Sequence, residues 1–191
     1  GALPYLLEVI EAPVFGTELT IELASLLAKE RGLADRLENF FKIDEEVEIE
    51  FEDANVSFFR TTHTIPDSVG IVIQTKEGSI VYTGDFRIDP SAKPLYKTHF
   101  GRLTDIGESG VLALLADSSE AESHVENVSD QQAADEILET FRNAHGRVIV
   151  ACVGSNIARL QQVMDAAHTS KRTIFVPGGE LMDIVDTAIK L

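Results

Sequence analysis

The pattern that most restricts the fold is the alternation of helical and extended segments from Ser129 to the end of the chain. Ser129 is placed to open a helix, with Asp130 and Gln132 near its N-terminal end and residues 133–141 as its body. A strand over 147–153, a helix over 155–168, a strand over 172–176 and a helix over 180–191 follow. Strands joined by helices at this spacing predict a parallel sheet covered by helices, because a crossover between parallel strands has to span the sheet and pack back on it.

The preceding part is richer in strands. Residues 4–10 read as an early helix, and Leu19, Leu23, Leu26 and Leu27 recur at helical spacing over 18–33, with Gly32 placed to stop the helix. Residues 47–51 and 55–61 read as strands around the turn Glu52-Asp53-Ala54, and 70–75 with 79–83 read as a hairpin around Lys76-Glu77-Gly78. A short apolar strand is expected at 111–115, after a turn over 107–110. Residues 118–127 are polar and acidic, so a domain boundary is expected near residue 125, dividing the chain into 1–125 and 126–191. The opening residues read as the middle of a fold, so sequence upstream of Gly1 is expected to belong to the same domain. The fold class is α/β.

Composition sets further limits. The 191 residues, 44% hydrophobic and 25% charged, suit one domain, or one and part of another. No run of about 18 apolar residues and no secretory leader pattern is visible. Cys152 is the lone cysteine and lies in an apolar run, where a small buried side chain in a reducing compartment is expected. A soluble, cytoplasmic protein follows from these features. The net charge of −16, from 16 basic and 32 acidic residues, opposes broad electrostatic attachment to nucleic acid. A nucleic-acid substrate has to be held locally, by metal ions, backbone amides or a few basic residues.

Three places carry residues suited to chemistry. His63 follows an apolar strand and is held by a turn containing Pro66. A histidine so placed either serves as a hydrogen-bonded structural residue or presents a ring nitrogen to a metal or substrate. Asp85 follows Gly84 at the end of a second strand, where it is a turn residue or a carboxylate aimed off the sheet edge. Together, His63 and Asp85 are nitrogen and oxygen donors of the kind zinc takes, although a catalytic zinc usually has three protein ligands and a water. Gly154, Ser155 and Asn156 precede a helix. They form a cradle for phosphate from backbone amides, a hydroxyl and an amide, or else Ser155 simply caps the helix. His99, His124, His145 and His168 fit loop or helix-end positions, and the acidic run 44–50 fits a solvated face.

His63 within THTIPDSVG, Asp85 within YTGDF and Asp117 within LLADSS resemble, in that order, three successive motifs of the ribonuclease J family. GALPYLL resembles the segment after its HxHxDH metal motif, and VFGTELT, GSIVYTGDFRID and GRVIVACVGSNIARLQQV fit in order across the chain. The wording of VSFFRTTHTIPDSVG and SGVLALLADS is closer to the second of the family's Firmicute paralogues. The resemblance implies an internal fragment, with a partial metallo-β-lactamase αββα sandwich over 1–125 and the beginning of a parallel-sheet β-CASP domain over 126–191. It implies a zinc-dependent RNA phosphodiester hydrolase with two zinc ions per intact site, incomplete in this chain. His63 would ligate one zinc and Asp85 would bridge both. Asp117, the acidic residue opening the β-CASP region, would act in catalysis by supporting a metal-site histidine later in the family's sequence. Gly154, Ser155 and Asn156 would meet an RNA phosphate. RNA is the implied partner, with a homo-oligomer or a hetero-complex with a paralogous ribonuclease J, and neither DNA nor membrane. The chain departs from many relatives at Ala158, where they have histidine, at Glu120, where they have asparagine, and near Pro177-Gly178-Gly179, where they show Gly-Arg-Ser. A weakly active or inactive paralogue that assembles with an active partner and shapes the RNA-degrading complex is the other function class the resemblance implies. A metallo-β-lactamase-fold hydrolase of small molecules is a third option, opposed by the helix–strand units after residue 129.

Overall fold

The computed structural model describes residues 2–119, 121–122 and 128–191. In chain order the elements are α1 (Leu3–Leu7), β1 (Val14–Gly16), α2 (Glu18–Glu30), β2 (Phe40–Lys42), β3 (Glu48–Glu50), β4 (Asn55–Arg60), β5 (Val69–Gln74), β6 (Ser79–Tyr82), α3 (Phe100–Glu108), β7 (Val111–Leu115), α4 (Asp130–Asn143), α5 (Ile157–Thr169) and α6 (Gly179–Lys190). Two short 3-10 turns, Ala34–Asn39 and Pro94–Tyr96, complete the set. The fold is mixed α/β.

The five strands β3 to β7 form one sheet in sequence order, antiparallel from β3 to β6, with β7 added parallel to β6. The parallel step requires a crossover, and α3 supplies it. Period-two alternation gives the sheet its core face: Ser57 pairs with Val72, Phe59 with Gly70, and Val72 with Val81. Phe59, Val72 and Val81 are buried there against Ile106 and Leu103 of α3. The α3 helix is absent from the sequence reading, which put a turn at 107–110. Its glycines, Gly101 and Gly107, disguise a helix whose inward stripe is only Leu103 and Ile106. A second, two-stranded parallel sheet pairs β1 with β2 around the crossover helix α2. The strand β7 keeps Leu112, Leu114 and Leu115 more than half exposed.

Beyond residue 128 the three helices form as expected, and Ser129 caps α4 by accepting a hydrogen bond from the Gln132 amide. The strands expected at 147–153 and 172–176 do not form. Both stretches lack strand pairing among the described residues, and Ile149, Val153 and Phe175 are 93, 71 and 85% exposed. Apolar, β-branched runs create a strand only where neighbouring strands take up their amides and carbonyls. Here Val148 instead packs on the pair α4–α5, around Phe141, Ala166 and Ala167. For the same reason Cys152 is exposed rather than buried. The expected boundary near residue 125 and His124 lie outside the described residues. Among the described residues no helix is long and apolar enough to cross a membrane.

One side chain closes the end of α4. Arg172 donates from Nε to the Phe141 carbonyl at 3.0 Å, from Nη1 to the Gly146 carbonyl at 2.8 Å, and from Nη2 to the Ala144 carbonyl. Helix C-termini leave carbonyls unpaired, and a cation there also meets the negative end of the helix dipole. Arg172→Ala is expected to lower stability by about 2 kcal/mol, the scale of losing hydrogen bonds to a charged donor. Arg172→Lys should recover less than half of that, since an ammonium cannot reproduce the fork. A urea unfolding midpoint unchanged in Arg172→Ala would refute this.

Candidate functional site

The His63 loop is built on buried hydroxyls. Thr62, 1% exposed, donates its amide to Thr98 Oγ1 at 3.1 Å, and its own Oγ1 lies 3.0 Å from the Tyr96 carbonyl and 3.0 Å from Thr98 Oγ1. The loop is closed by Thr61 N–H to the Ser68 carbonyl at 2.9 Å and by Ser68 Oγ to the Ile65 carbonyl at 2.8 Å. Asp67 Oδ2 accepts from the Leu19 amide at 3.0 Å, placing a carboxylate on the N-terminus of α2. The segment carrying His63 is therefore fixed from several sides.

The second loop leaves the neighbouring end of β6. Thr83 donates its amide to the Leu115 carbonyl at 3.0 Å and its hydroxyl to the Gly84 carbonyl at 2.7 Å, and its Oγ1 accepts the Asp117 amide at 3.1 Å. Gly84 has φ +61°, a backbone state open to glycine, which turns the chain so that Asp85 leaves the sheet edge. Asp117 follows β7 directly.

These loops bring two of the predicted residues together. His63 Nε2 stands 3.8 Å from Asp85 Oδ2, and His63 Nδ1 lies 3.3 Å from Thr64 Oγ1. The imidazole is about a third exposed and the Asp85 carboxylate largely exposed. Asp117 belongs to the same end of the sheet. Hydrogen bonds from the Ser119 amide and hydroxyl, then from the Phe86 amide, with the charge of His63, hold its carboxyl below the usual aspartate value. It is an acceptor-only group on the flank of the pair. Among the described residues no group of three or more His, Cys, Asp or Glu side chains is spaced to hold a metal ion. For one zinc bound by both groups at about 2.1 Å each, a tetrahedral angle puts nitrogen and oxygen about 3.4 Å apart. The observed separation is within a small side-chain rotation of that value, and the donor types suit zinc.

Gly154, Ser155 and Asn156 precede α5. The helix begins at Ile157, so Asn156 rather than Ser155 is its N-cap, with Oδ1 accepting from the Arg159 amide at 3.0 Å. The Asn156 Nδ2, the Ser155 hydroxyl and the helix dipole are what this turn offers an anion. Gly154 lies under Leu181 and Ile184 of α6, where a Cβ would meet both at 3.4 Å. The turn is tied to the His63 loop, because the Ala158 amide donates to the Thr64 carbonyl at 3.1 Å. A cleft of about 920 Å³ is lined by Asp67, Ile157 and Gln161 among others, and none of His63, Asp85, Asp117, Gly154, Ser155 or Asn156 lines it.

Two further residues, Arg87 and Asp89, stand beside the site, and no sequence signal had singled them out. Arg87 pairs with Asp130, and Asp89, 7% exposed, accepts from the Asp130 amide at 2.7 Å. Burial pushes the Asp89 carboxyl up, and the Ser91 hydroxyl, the Asp130 and Ser91 amides and the Arg87 charge outweigh it, so it sits below the usual value. In the sequence these residues were part of a recognised string, GSIVYTGDFRID, without individual roles.

Comparison with known proteins agrees with the motif order. Residues 145–191 match the family described as "Ribonuclease J, beta-CASP domain". The whole chain is 50% identical to "Ribonuclease J 2" of Streptococcus pyogenes serotype M3, covering 34% of that protein. It is 39% identical to "Ribonuclease J 2" of Staphylococcus epidermidis and 38% identical to that of Staphylococcus aureus, again across the full chain and 34% of each relative. The chain thus spans about a third of the length of these relatives. A crystal structure of a protein of unknown function from Enterococcus faecalis V583 superposes with a TM-score of 0.67 over 94% of this chain and 43% of that one, at 13% identity, and shares the fold.

Proposed function

The chain belongs to the ribonuclease J family over the stretch it spans, and from that premise we propose that the whole protein is a metal-dependent hydrolase of RNA phosphodiester bonds. The observation that carries this reading is the His63–Asp85 pair, 3.8 Å apart at the same end of the five-stranded sheet, with Asp117 on its flank. His63 and Asp85 would hold zinc, the remaining donors coming from sequence outside this chain. When bound, the two ions supply Lewis acidity and a water acidic enough to act as a nucleophile near neutral pH.

The chain's own residues do the rest by placement. His63 presents Nε2 while Thr64 Oγ1 stands at Nδ1, which favours one ring orientation. Asp85 supplies a carboxylate that can bridge two cations. Asp117, its carboxyl held below the usual value, keeps its negative charge at neutral pH and would support a histidine donor from sequence outside this chain. The α5 N-terminal amides are taken by Val153, Ser155, Thr64 and Asn156, so the Ser155 hydroxyl and the Asn156 Nδ2, with the helix dipole behind them, would receive an RNA phosphate without help from net positive charge, which suits a chain of net charge −16. In this reading residues 1–125 are part of a metallo-β-lactamase domain and 126–191 begin the β-CASP domain. The protein acts in the cytoplasm and assembles with itself or a paralogous ribonuclease J.

The test is metal removal. The purified whole protein should contain zinc and cleave RNA. Dialysis against a strong chelator should abolish cleavage, and added zinc should restore it. The chain of residues 1–191 alone should bind little zinc and turn over no RNA. Cleavage that survives complete removal of metal ions would overturn the proposal, and strong turnover by the isolated chain would overturn the divided site.

A further inference from the structure

We infer that Arg87 and Asp89 are positioning residues that hold α4 and α5, and with them the phosphate-binding turn, in register with the His63–Asp85 pair. The inference rests on the ribonuclease reading for its consequence, and on the hydrogen-bond geometry for its substance.

The contacts form a closed ring. The Arg87 amide donates to the Thr62 carbonyl at 2.9 Å, one residue before His63. The Arg87 guanidinium pairs with the Asp130 carboxylate in the first turn of α4, the two side chains being only 30 and 23% exposed. Asp89 Oδ2 accepts the Asp130 amide at 2.7 Å, while its Oδ1 accepts the Ser91 amide at 2.8 Å and the Ser91 hydroxyl at 2.6 Å. From Asp130 the ring passes to α5, where Gln162 Nε2 donates to the Asp130 carbonyl at 3.1 Å. It returns through the Ala158 amide to the Thr64 carbonyl at 3.1 Å, one residue after His63. The carbonyls of the two residues on either side of His63 are therefore held by the same circuit that fixes the starts of α4 and α5.

A surface ion pair would contribute little to such a task, because two long side chains must be ordered in water. This one differs in its neighbours. Asp89 is buried and uses both carboxylate oxygens, at a helix N-terminus where an anion is favoured. The covalent link between the two parts runs only through residues 118–129. A phosphodiester reacting at the metal centre while a phosphate along the same strand sits in the 154–156 turn needs both places at a fixed spacing. Misplacement by about 1 Å at such a site lowers rate by about a hundredfold.

The experiment compares Asp89→Asn, Arg87→Ala and Arg87→Lys in the whole zinc-loaded protein. RNA hydrolysis should fall at least tenfold in kcat/KM for Asp89→Asn and Arg87→Ala, and recover in Arg87→Lys. Hydrolysis of bis(p-nitrophenyl) phosphate, too small to reach the turn, should stay within twofold, and zinc content should not change. A parallel fall of both substrates, or no fall in either, would overturn the inference. Amide hydrogen exchange supplies a readout independent of activity. In Asp89→Asn, exchange should rise together at 130–133 and at 154–158, and Asp135→Asn should change neither. Exchange that rises at 130–133 alone would overturn the circuit, whether or not the protein cleaves RNA. Conversely, a wild-type protein that lacks zinc and cleaves neither substrate would end the nuclease reading and leave the exchange result to decide the circuit.

Discussion

Asp85→Ala in the whole protein is expected to lower RNA hydrolysis by about a thousandfold and to reduce bound zinc below two ions per chain. In the proposed reading the loss of the Asp85 carboxylate would remove a donor from both ions, and metal-derived stabilisation of a phosphoryl transition state is several kcal/mol, about a thousandfold in rate. His63→Ala should be less severe in zinc content, since by the family resemblance the imidazole serves one ion, yet comparably severe in turnover. Asp85→Asn separates charge from shape, because it fits the same space and donates where the carboxylate accepts. It should resemble the alanine variant in activity. His99→Ala is a suitable control: His99 is also near a carboxylate, 3.7 Å from Glu45 Oε2, and lies outside the proposed ligand set. Zinc content by atomic emission, read beside turnover, decides the matter. Full zinc and full turnover in both alanine variants would remove the pair from the ligand set.

The site was legible in the sequence at the level of which residues meet, and less so in what holds them. His63 and Asp85 could be considered together because each follows the end of an apolar strand, and β4, β5 and β6 lie side by side in the sheet with both residues at the same end of it. The hairpin around Lys76-Glu77-Gly78 showed itself through turn chemistry, and Ser129 through capping, both local effects. The buried Thr62–Thr98 hydroxyl pair was invisible because a threonine in a sequence carries no mark of burial. Arg87 and Asp89 gain their roles from Asp130, more than forty positions away, and long-range polar contacts leave no periodic trace. The extended stretches 147–153 and 172–176 failed for the opposite reason. Their composition is strand-like, but strand formation is a property of pairs, and no neighbour among the described residues completes them. At 154–156 the sequence pointed to Ser155 as the cap, whereas the helix begins one residue later and Asn156 caps it.

Gly70→Ala should destabilise the protein by about 3 kcal/mol or more, although it adds a single methyl group and exchanges a poor strand former for a better one. The two effects oppose each other, and magnitude decides between them. Strand propensities span about 1 kcal/mol in total, whereas forcing an extra carbon into a filled core costs about 1–3 kcal/mol and more where the backbone must yield. At Gly70 the space is already taken. Phe59, its cross-strand partner, lays its ring over the glycine, so that a Cβ there would stand 2.2 Å from Cζ and 2.6 and 2.7 Å from the two Cε atoms. The ring is 1% exposed and packs with Val72, Val81 and Ile106, which leaves it no open direction to swing. Phe59→Leu alone should cost about 1–2 kcal/mol by the lost burial, yet in the Gly70→Ala background it should restore part of the loss, giving a coupling of at least about 1 kcal/mol in a double-mutant cycle. The consequence reaches the site, since β4 runs from Phe59 through Arg60 into the Thr61–His63 turn. Chemical unfolding of the four proteins measures the cycle. A Gly70→Ala midpoint equal to that of the wild type would show that the ring moves freely, and the rigid footing assigned here to the His63 loop would then be wrong.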